Sequence, residues 1–151
     1  MLYQAWKSWI DAFEHSAAGG DWSEAAARLS KDCLYVVAGG PYAAEIRGRD
    51  AVIAGFERSF AHFDARFDRR DWRAAKVRLH EPNAVSAVVA ASYEMRGVAP
   101  LRFGVDGHWI FDGDRVSVMV DVYDFSLTDT GEAAEWLERH AESLGLDASY
   151  R

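Results

Sequence analysis

The segment from residue 67 to residue 125 most constrains the fold, because it holds four strand-like stretches separated only by short turns. Polar and apolar residues alternate along parts of it, as they do in half-buried β-strands. The turn signals are Glu81-Pro82-Asn83, Gly97 and Asp112-Gly113-Asp114, and the last of these is typical of a hairpin. We therefore predict successive antiparallel strands at about 67–80, 84–97, 101–112 and 115–125.

The last of these strands carries an acid between apolar neighbours. Met119, Asp121 and Tyr123 share one face of it, and the opposite face is formed by Val116, Val118, Val120 and Val122. Both faces are largely apolar, so we expect both to be covered. A covered carboxyl group loses hydration and must be paired, protonated or turned towards a cavity. Asp121 is therefore the first candidate for chemistry.

Segments with helical periodicity lie before and after this run of strands. Residues 3–18 place Trp6, Ile10 and Phe13 on one face, and a short helix follows from Asp21 to about Ser30. A strand over 33–38, a helix over 50–63 and a C-terminal helix over 131–145 complete the prediction. Helices segregated from successive strands indicate one α+β domain over 1–151, with a curved antiparallel sheet wrapped around an apolar cavity.

Composition excludes several classes of function. A net charge of −7 argues against general nucleic-acid binding, and no apolar run is long enough to span a membrane. One basic run has two interpretations, a solvated face or a patch for an anionic ligand or RNA; it contains Arg66, Arg69, Arg70, Arg73, Lys76 and Arg78. A single cysteine, Cys33, excludes an intrachain disulfide and favours a cytoplasmic location.

Three segments carry a resemblance to a known family. They are Ala18-Gly19-Gly20-Asp21-Trp22 with the following 31–37, then Glu45-Ile46-Arg47-Gly48-Arg49-Asp50-Ala51-Val52, and His108 to Val116. In order and spacing they resemble the NTF2-like superfamily, and within it the SnoaL-like and ketosteroid-isomerase-like group. The resemblance covers nearly the whole chain and implies a cone-shaped α+β fold. It implies little about activity, because this fold hosts enzymes and non-catalytic proteins.

The steroid-isomerase residues of that group are missing from the matching positions. The general base falls at Val37, the oxyanion-hole tyrosine at Phe13 and its supporting tyrosine at Phe56. The protonated acid falls near Gly107, where a register slip of one residue would bring in Asp106. Val and Phe supply neither a base nor a hydrogen-bond donor, so the chain resembles a steroid isomerase in shape and not in chemistry.

The register of the family implies which side chains line the cavity. The predicted wall residues are Trp9, Phe13, Val37, Phe56, Phe60, Tyr93, Met95, Val105, Trp109, Phe111, Met119 and Tyr123. Such an aromatic cavity suits a flat, mostly apolar small molecule with one or two polar groups. The valine face of the last strand would be an exposed apolar patch, so we expect it to form a homodimer through the sheet.

Two functions from different classes fit these residues. The first is a SnoaL-like enzyme in which Asp121 acts as acid or base on a carbonyl-bearing substrate, by isomerisation, dehydration or cyclisation. Tyr35, Tyr123 or His62 would polarise the carbonyl group, and His62 would form a proton-transfer pair with Asp121. The alternative is a non-catalytic ligand-binding or association module in which Asp121 is structural. No motif for a metal or cofactor is found, so we predict none.

Overall fold

A curved mixed sheet forms the frame of the protein. The computed structural model describes residues 1–39, 42–123, 130–147 and 149–150. Within these residues six strands are ordered β2-β1-β6-β5-β4-β3. Their bounds are β1 Leu29–Ala38, β2 Ala44–Arg47, β3 Arg69–His80, β4 Ala84–Glu94, β5 Leu101–Asp112 and β6 Arg115–Val122. The predicted run of four strands is confirmed, although residues 124 and 125 of its last member lie outside the described residues.

One strand pair differs from the prediction of a purely antiparallel sheet. Strand β1 runs parallel to β6, whereas all the other neighbouring strands are antiparallel. Hairpin turns force antiparallel pairing, but β1 reaches β6 only after a long crossover and is free of that constraint. The prediction also missed β2, since four residues are too few to show a convincing alternation.

Four α-helices in the described residues cover the sheet. They are α1 Leu2–Gly19, α2 Ser23–Ala27, α3 Arg49–His62 and α4 Thr130–Leu144. Gly20 ends α1 in the left-handed conformation with φ of 75°, which glycine adopts without strain. Phe13 of α1 packs edge-on against Phe56 of α3, with ring centroids 5.2 Å apart. No helix of the described part of the chain has the length and apolar character that crossing a membrane requires.

A β-bulge in β6 changes which valines face outwards. Ile110 of β5 pairs with Val118, but the next residue, Phe111, pairs with Val116, so Ser117 is the extra residue. An extra residue reverses the alternation of side chains beyond it. Val116 is therefore fully buried in the core rather than on the outer valine face, which corrects the prediction for this residue.

The neighbouring strand β5 settles the orientation of Asp106 and Gly107. Gly107 is buried on the inner face, and Asp106 lies on the outer face with 38% of its side chain exposed. The register slip that would bring Asp106 into the cavity does not occur. Trp109 folds over Gly107, and a Cβ added there would lie 2.5 Å from Trp109 Cη2. Gly107 is therefore the residue that makes room for this indole.

We predict that Gly107→Ala destabilises the protein by about 1–3 kcal/mol, the usual range for overpacking a core. The buried Trp109 ring, only 5% exposed, would have to move away from the new methyl group. Gly19→Ala is the matched control, because nothing lies within 4 Å of a Cβ added there. Urea unfolding measures both variants. A Gly107→Ala protein as stable as the wild type would contradict the packing described here.

Candidate active site

An aromatic cavity of about 170 Å³ lies between α1, α3 and the concave face of the sheet. All the predicted wall residues except Met95 and Phe111 line it. The walls also include residues that the sequence did not predict, among them Trp6, Tyr42, Ser59, Trp72, Phe103 and Tyr150. A cavity of about 150 Å³ is large enough to hold benzene, so this one has room for a ligand of similar size.

Three predicted site residues lie elsewhere. Met95 follows the last residue of β4, Glu94, so the strand alternation that placed it in the cavity no longer applies. Phe111 turns into the apolar core beside its cross-strand neighbour Val116. His62 is the exposed last residue of α3, and its predicted contact with Asp121 does not form.

Helical geometry explains the position of His62. The inward face of α3 carries Phe56, Ser59 and Phe60, and Phe63 directly after the helix continues it. His62 precedes Phe63 by one residue, which is a rotation of about 100° around a helix axis. The backbone carbonyl of His62 accepts a hydrogen bond of 3.1 Å from the N–H of Asp147. This residue therefore anchors the C-terminal tail through its backbone rather than lining the cavity.

Asp121 projects into the cavity from the middle of the sheet. Its direct neighbours across the strands are Val37 of β1 and Gly107 of β5, and neither supplies a charge. The hydroxyl group of Tyr35 donates a 2.8 Å hydrogen bond to Asp121 Oδ2. Burial raises the pKa of Asp121 to about 6, although this hydrogen bond and the charge of His108 act in the opposite direction. The carboxyl group can therefore take up and release a proton near neutral pH.

Three tyrosines surround this carboxyl group and form what we call the phenol cluster: Tyr35, Tyr123 and Tyr150. All three line the cavity. Burial raises the pKa of Tyr35 and of Tyr123 far above the usual value, and raises the pKa of Tyr150 to about 12. The three hydroxyl groups therefore stay protonated at neutral pH and can act as hydrogen-bond donors. Tyr150 comes from the C-terminal tail, where no periodicity indicated its position.

A second polar group in the wall, which we call the Arg70 cluster, joins α1, the turn after α3, and the sheet. Arg70 donates hydrogen bonds of 2.9 Å to both Asp64 and Glu14. The Tyr93 hydroxyl donates to Asp64 at 2.7 Å and accepts from the Trp72 indole N–H at 2.9 Å. Burial raises the pKa of Asp64, whereas the charge of Arg70 acts against that rise. This carboxyl group is thus tied to a cation, unlike Asp121.

The basic residues between Arg66 and Arg78 do not form one surface, because side chains alternate between the two faces of β3. Arg70 turns inwards with only 15% of its side chain exposed, and stacks over Phe60 and Trp72 at 5.0 Å from each ring centroid. The other basic residues of the run are exposed, namely Arg66, Arg69, Arg73, Lys76 and Arg78. Sequence reasoning treated the run as one surface, although a strand with two different faces could have separated Arg70 from its direct neighbour Arg69.

Comparison with known proteins identifies the fold. No family model matches the chain, and no curated protein matches its sequence. Among solved structures, an NTF2-like protein of unknown function from Burkholderia pseudomallei K96243 has a TM-score of 0.66 and 16% identity, covering 91% of this chain and 95% of its own. An LEH-like epoxide hydrolase from M. tuberculosis has a TM-score of 0.63 and 18% identity, covering 90% and 91%. The chain therefore has the NTF2-like fold, as predicted.

Some of the similar structures contain small molecules. A Mycobacterium tuberculosis protein in complex with estradiol-17beta-hemisuccinate has a TM-score of 0.61 and 15% identity, covering 83% of this chain and 95% of its own. TerC, co-crystallized with polyporic acid, has a TM-score of 0.59 and 16% identity, covering 85% and 98%. These two structures hold different ligands and share only 15% and 16% identity with the chain, so they identify a shared architecture and no particular reaction.

We predict that Tyr35→Phe raises the pKa of Asp121 above its value of about 6. The change removes the hydroxyl group that stabilises the carboxylate, and leaves the burial that destabilises it. Carboxyl ¹³C NMR over a pH titration measures this pKa directly. Tyr3→Phe is the control, because Tyr3 is 45% exposed on the outer side of α1. A wild-type pKa near 4, or no rise in Tyr35→Phe, would contradict the described site.

Proposed function

We propose that this protein is a cofactor-independent enzyme that performs acid–base chemistry on a small, hydrophobic, carbonyl-bearing compound. The reaction would be an isomerisation, a dehydration or an intramolecular cyclisation. One observation carries the proposal: a desolvated carboxyl group, Asp121, faces an aromatic cavity and accepts a hydrogen bond of 2.8 Å from Tyr35. A group with a pKa of about 6 is suited to transferring protons at neutral pH.

The proposed chemistry begins with proton removal from the carbon next to the carbonyl group. Asp121 takes this proton, the C–H electron pair forms a C=C bond, and the π electrons of the carbonyl group move to its oxygen to give an enolate. The protonated phenol of Tyr123 donates a hydrogen bond to that oxygen and stabilises its charge, because Tyr35 already donates its proton to Asp121. The protonated Asp121 then returns the proton to another carbon or to a leaving hydroxyl group. For cyclisation, the enolate carbon attacks a second carbonyl carbon of the same molecule, the π bond of that carbonyl group opens, and its oxygen takes the proton from Asp121.

The walls support a ligand of modest size. Aromatic rings surround the cavity, and its volume of about 170 Å³ suits one ring with a short substituent. The complexes of similar proteins with estradiol hemisuccinate and polyporic acid support the binding of small hydrophobic molecules in this fold. His62 plays no part in the proposal, because it is exposed and lies outside the cavity wall.

We predict that the wild-type protein accelerates exchange of the α-hydrogens of acetophenone or 2-tetralone with D₂O, and that Asp121→Asn abolishes most of the acceleration. Loss of a general base typically costs about 10²–10⁴-fold in rate. Proton NMR follows the exchange without knowledge of the natural substrate. The wild-type rate should rise with pH up to about 6 and then level off, since only the carboxylate form of Asp121 accepts a proton.

Asp112→Asn is the matched control, because Asp112 is exposed at the end of β5 and outside the cavity wall. It should exchange as fast as the wild type. Equal rates for Asp121→Asn and wild type would refute the role of Asp121. Tight binding of both ketones without any accelerated exchange would instead favour the alternative, a non-catalytic ligand-binding module.

We also propose that the protein forms a homodimer through the outer face of the sheet, and that it works in the cytoplasm, where its buried Cys33 thiol stays reduced. The outer face carries Val118, Val120 and Val122 of β6, and further apolar residues extend it across β4 and β5. Val88 and Ile110 there are each 40% exposed in the single chain. Covering these residues would remove apolar surface from water.

We predict that sedimentation at micromolar concentration shows a dimer and that Val120→Glu shifts it to monomers, because a charge would be buried in the interface. Leu79→Glu is the control, since Leu79 is equally apolar and 45% exposed but lies on the concave side of β3. It should remain dimeric. A monomeric wild type, or an unchanged dimer in Val120→Glu, would exclude this interface.

A further inference from the structure

The described residues after α4, which we call the C-terminal tail, contact α3 through backbone groups of the tail. Leu146 is buried in a cluster with Trp136, and the N–H of Asp147 bonds to the carbonyl of His62. Farther along, Arg58 Nη2 donates a hydrogen bond of 2.6 Å to the carbonyl oxygen of Tyr150. Asp147 therefore lies at the end of α3, and Tyr150 lies nearer its middle.

Gly55 of α3 makes the close approach of the tail possible. A Cβ added at Gly55 would lie 3.2 Å from the carbonyl oxygen of Tyr150 and 3.5 Å from its Cβ. A larger side chain at this position would therefore press on the tail. Gly55 lets the carbonyl group of Tyr150 approach α3 closely, and Arg58 donates a hydrogen bond to the same carbonyl oxygen. These two contacts fix the position of Tyr150, which we call its seat.

From this seat the Tyr150 ring reaches into the cavity. It packs edge-on against Tyr35, with ring centroids 5.5 Å apart at 86°, and also contacts Phe56. Its hydroxyl group interacts with the hydroxyl groups of Tyr35 and Ser59, the latter from the buried face of α3. Tyr150, the last residue but one of the sequence, thus contributes to the cavity wall beside Asp121.

The Tyr150 hydroxyl group matters for ligand binding because the protons of two other phenols in the wall are already donated to carboxylates. A tyrosine hydroxyl has one proton to donate. Tyr35 donates its proton to Asp121, and Tyr93 donates its proton to Asp64. Neither can also donate to a ligand while these bonds last. The hydroxyl group of Tyr150 bonds to the neutral hydroxyl groups of Tyr35, Ser59 and Tyr123. A bond between neutral groups is weaker than one to a carboxylate, so the proton of Tyr150 can turn to an acceptor on a ligand at lower cost than that of Tyr35 or Tyr93.

We propose that Tyr150 is a specificity-determining residue: carried by the C-terminal tail, it donates a hydrogen bond to the carbonyl oxygen of the ligand and makes the cavity prefer carbonyl compounds over hydrocarbons of the same shape. This inference rests on the proposed function, because it takes the ligand to be a carbonyl compound. It adds that the tail, through Arg58 and Gly55, is part of the binding site.

Acetophenone and isopropylbenzene test the preference, because they have the same number of non-hydrogen atoms and only the first has a carbonyl oxygen. Calorimetry or ligand-observed NMR gives both affinities for the full-length protein. We expect the wild type to prefer acetophenone, and Tyr150→Phe to lose about five- to tenfold in affinity for acetophenone alone, the usual effect of one hydrogen bond. Isopropylbenzene should bind both proteins equally well.

Arg58→Gln provides a second variant that leaves the phenol in place. Arg58→Gln should loosen the tail and so lower the affinity for acetophenone but not for isopropylbenzene. Arg47→Gln changes another exposed arginine and should leave both affinities unchanged. An equal loss for both probes in Tyr150→Phe would reduce Tyr150 to a packing role and overturn the inference. No change in that variant would also overturn it, as would a wild type that binds the two probes equally or not at all.

The outcome is separable from that of the proposed function. If Tyr150→Phe loses its preference for acetophenone but Asp121→Asn exchanges α-hydrogens like the wild type, the tail is a binding element of a non-catalytic module. If exchange depends on Asp121 but Tyr150→Phe leaves the affinities for both probes unchanged, the enzyme proposal stands and the role of the tail is refuted.

Discussion

The parallel pairing of β1 with β6 decides which side chains meet inside this protein. It sets Tyr35 opposite Met119 and Val37 opposite Asp121, and it joins the first part of the chain to the last strand of a hairpin series. Side chains alternate along a strand, so a shift of one residue in this pairing would turn one of the two facing sets away from the cavity. The Tyr35–Asp121 hydrogen bond, the cavity and the seat of Tyr150 all depend on this register.

The same cavity holds two carboxyl groups in contrasting surroundings. Asp64 accepts hydrogen bonds from Arg70 and Tyr93, and the charge of Arg70 acts against the rise in its pKa that burial causes. In the part of the chain that the structure describes, the hydrogen-bond donor of Asp121 is a neutral phenol, and desolvation raises the pKa of Asp121 to about 6. One group is therefore suited to holding α1, α3 and the sheet together, and the other to exchanging a proton.

Much of the frame could be predicted from periodicity, because each strand of the hairpin series has local turn signals and an alternating inner face. Asp121 was placed correctly towards the cavity for this reason. The direction of β1 could not be predicted, since no turn links it to β6. Val116 was misplaced because a bulge at Ser117 has no sequence signature comparable to a turn, and one extra residue reverses the facing.

The site was harder to predict where it depends on distant parts of the chain. The prediction that His62 faces the cavity was wrong because a step of one residue along a helix is a rotation of about 100°. The sequence does not fix the rotation that closely near a helix end. Arg70 was hidden in a run of basic residues whose other members are exposed. Tyr150 comes after the last helix, and contacts with Gly55, Arg58 and Tyr35, which no periodicity indicates, determine its position.

Gly107 and Trp109 have a further consequence for how this protein could change over evolution. The indole ring occupies the space that any side chain at residue 107 would need, since a Cβ there would lie 2.5 Å from Trp109 Cη2. An acid at residue 107 would be tolerated only after residue 109 had become smaller. The two positions are therefore epistatic, and a second carboxyl group opposite Asp121 is at least two ordered substitutions away from the present chain.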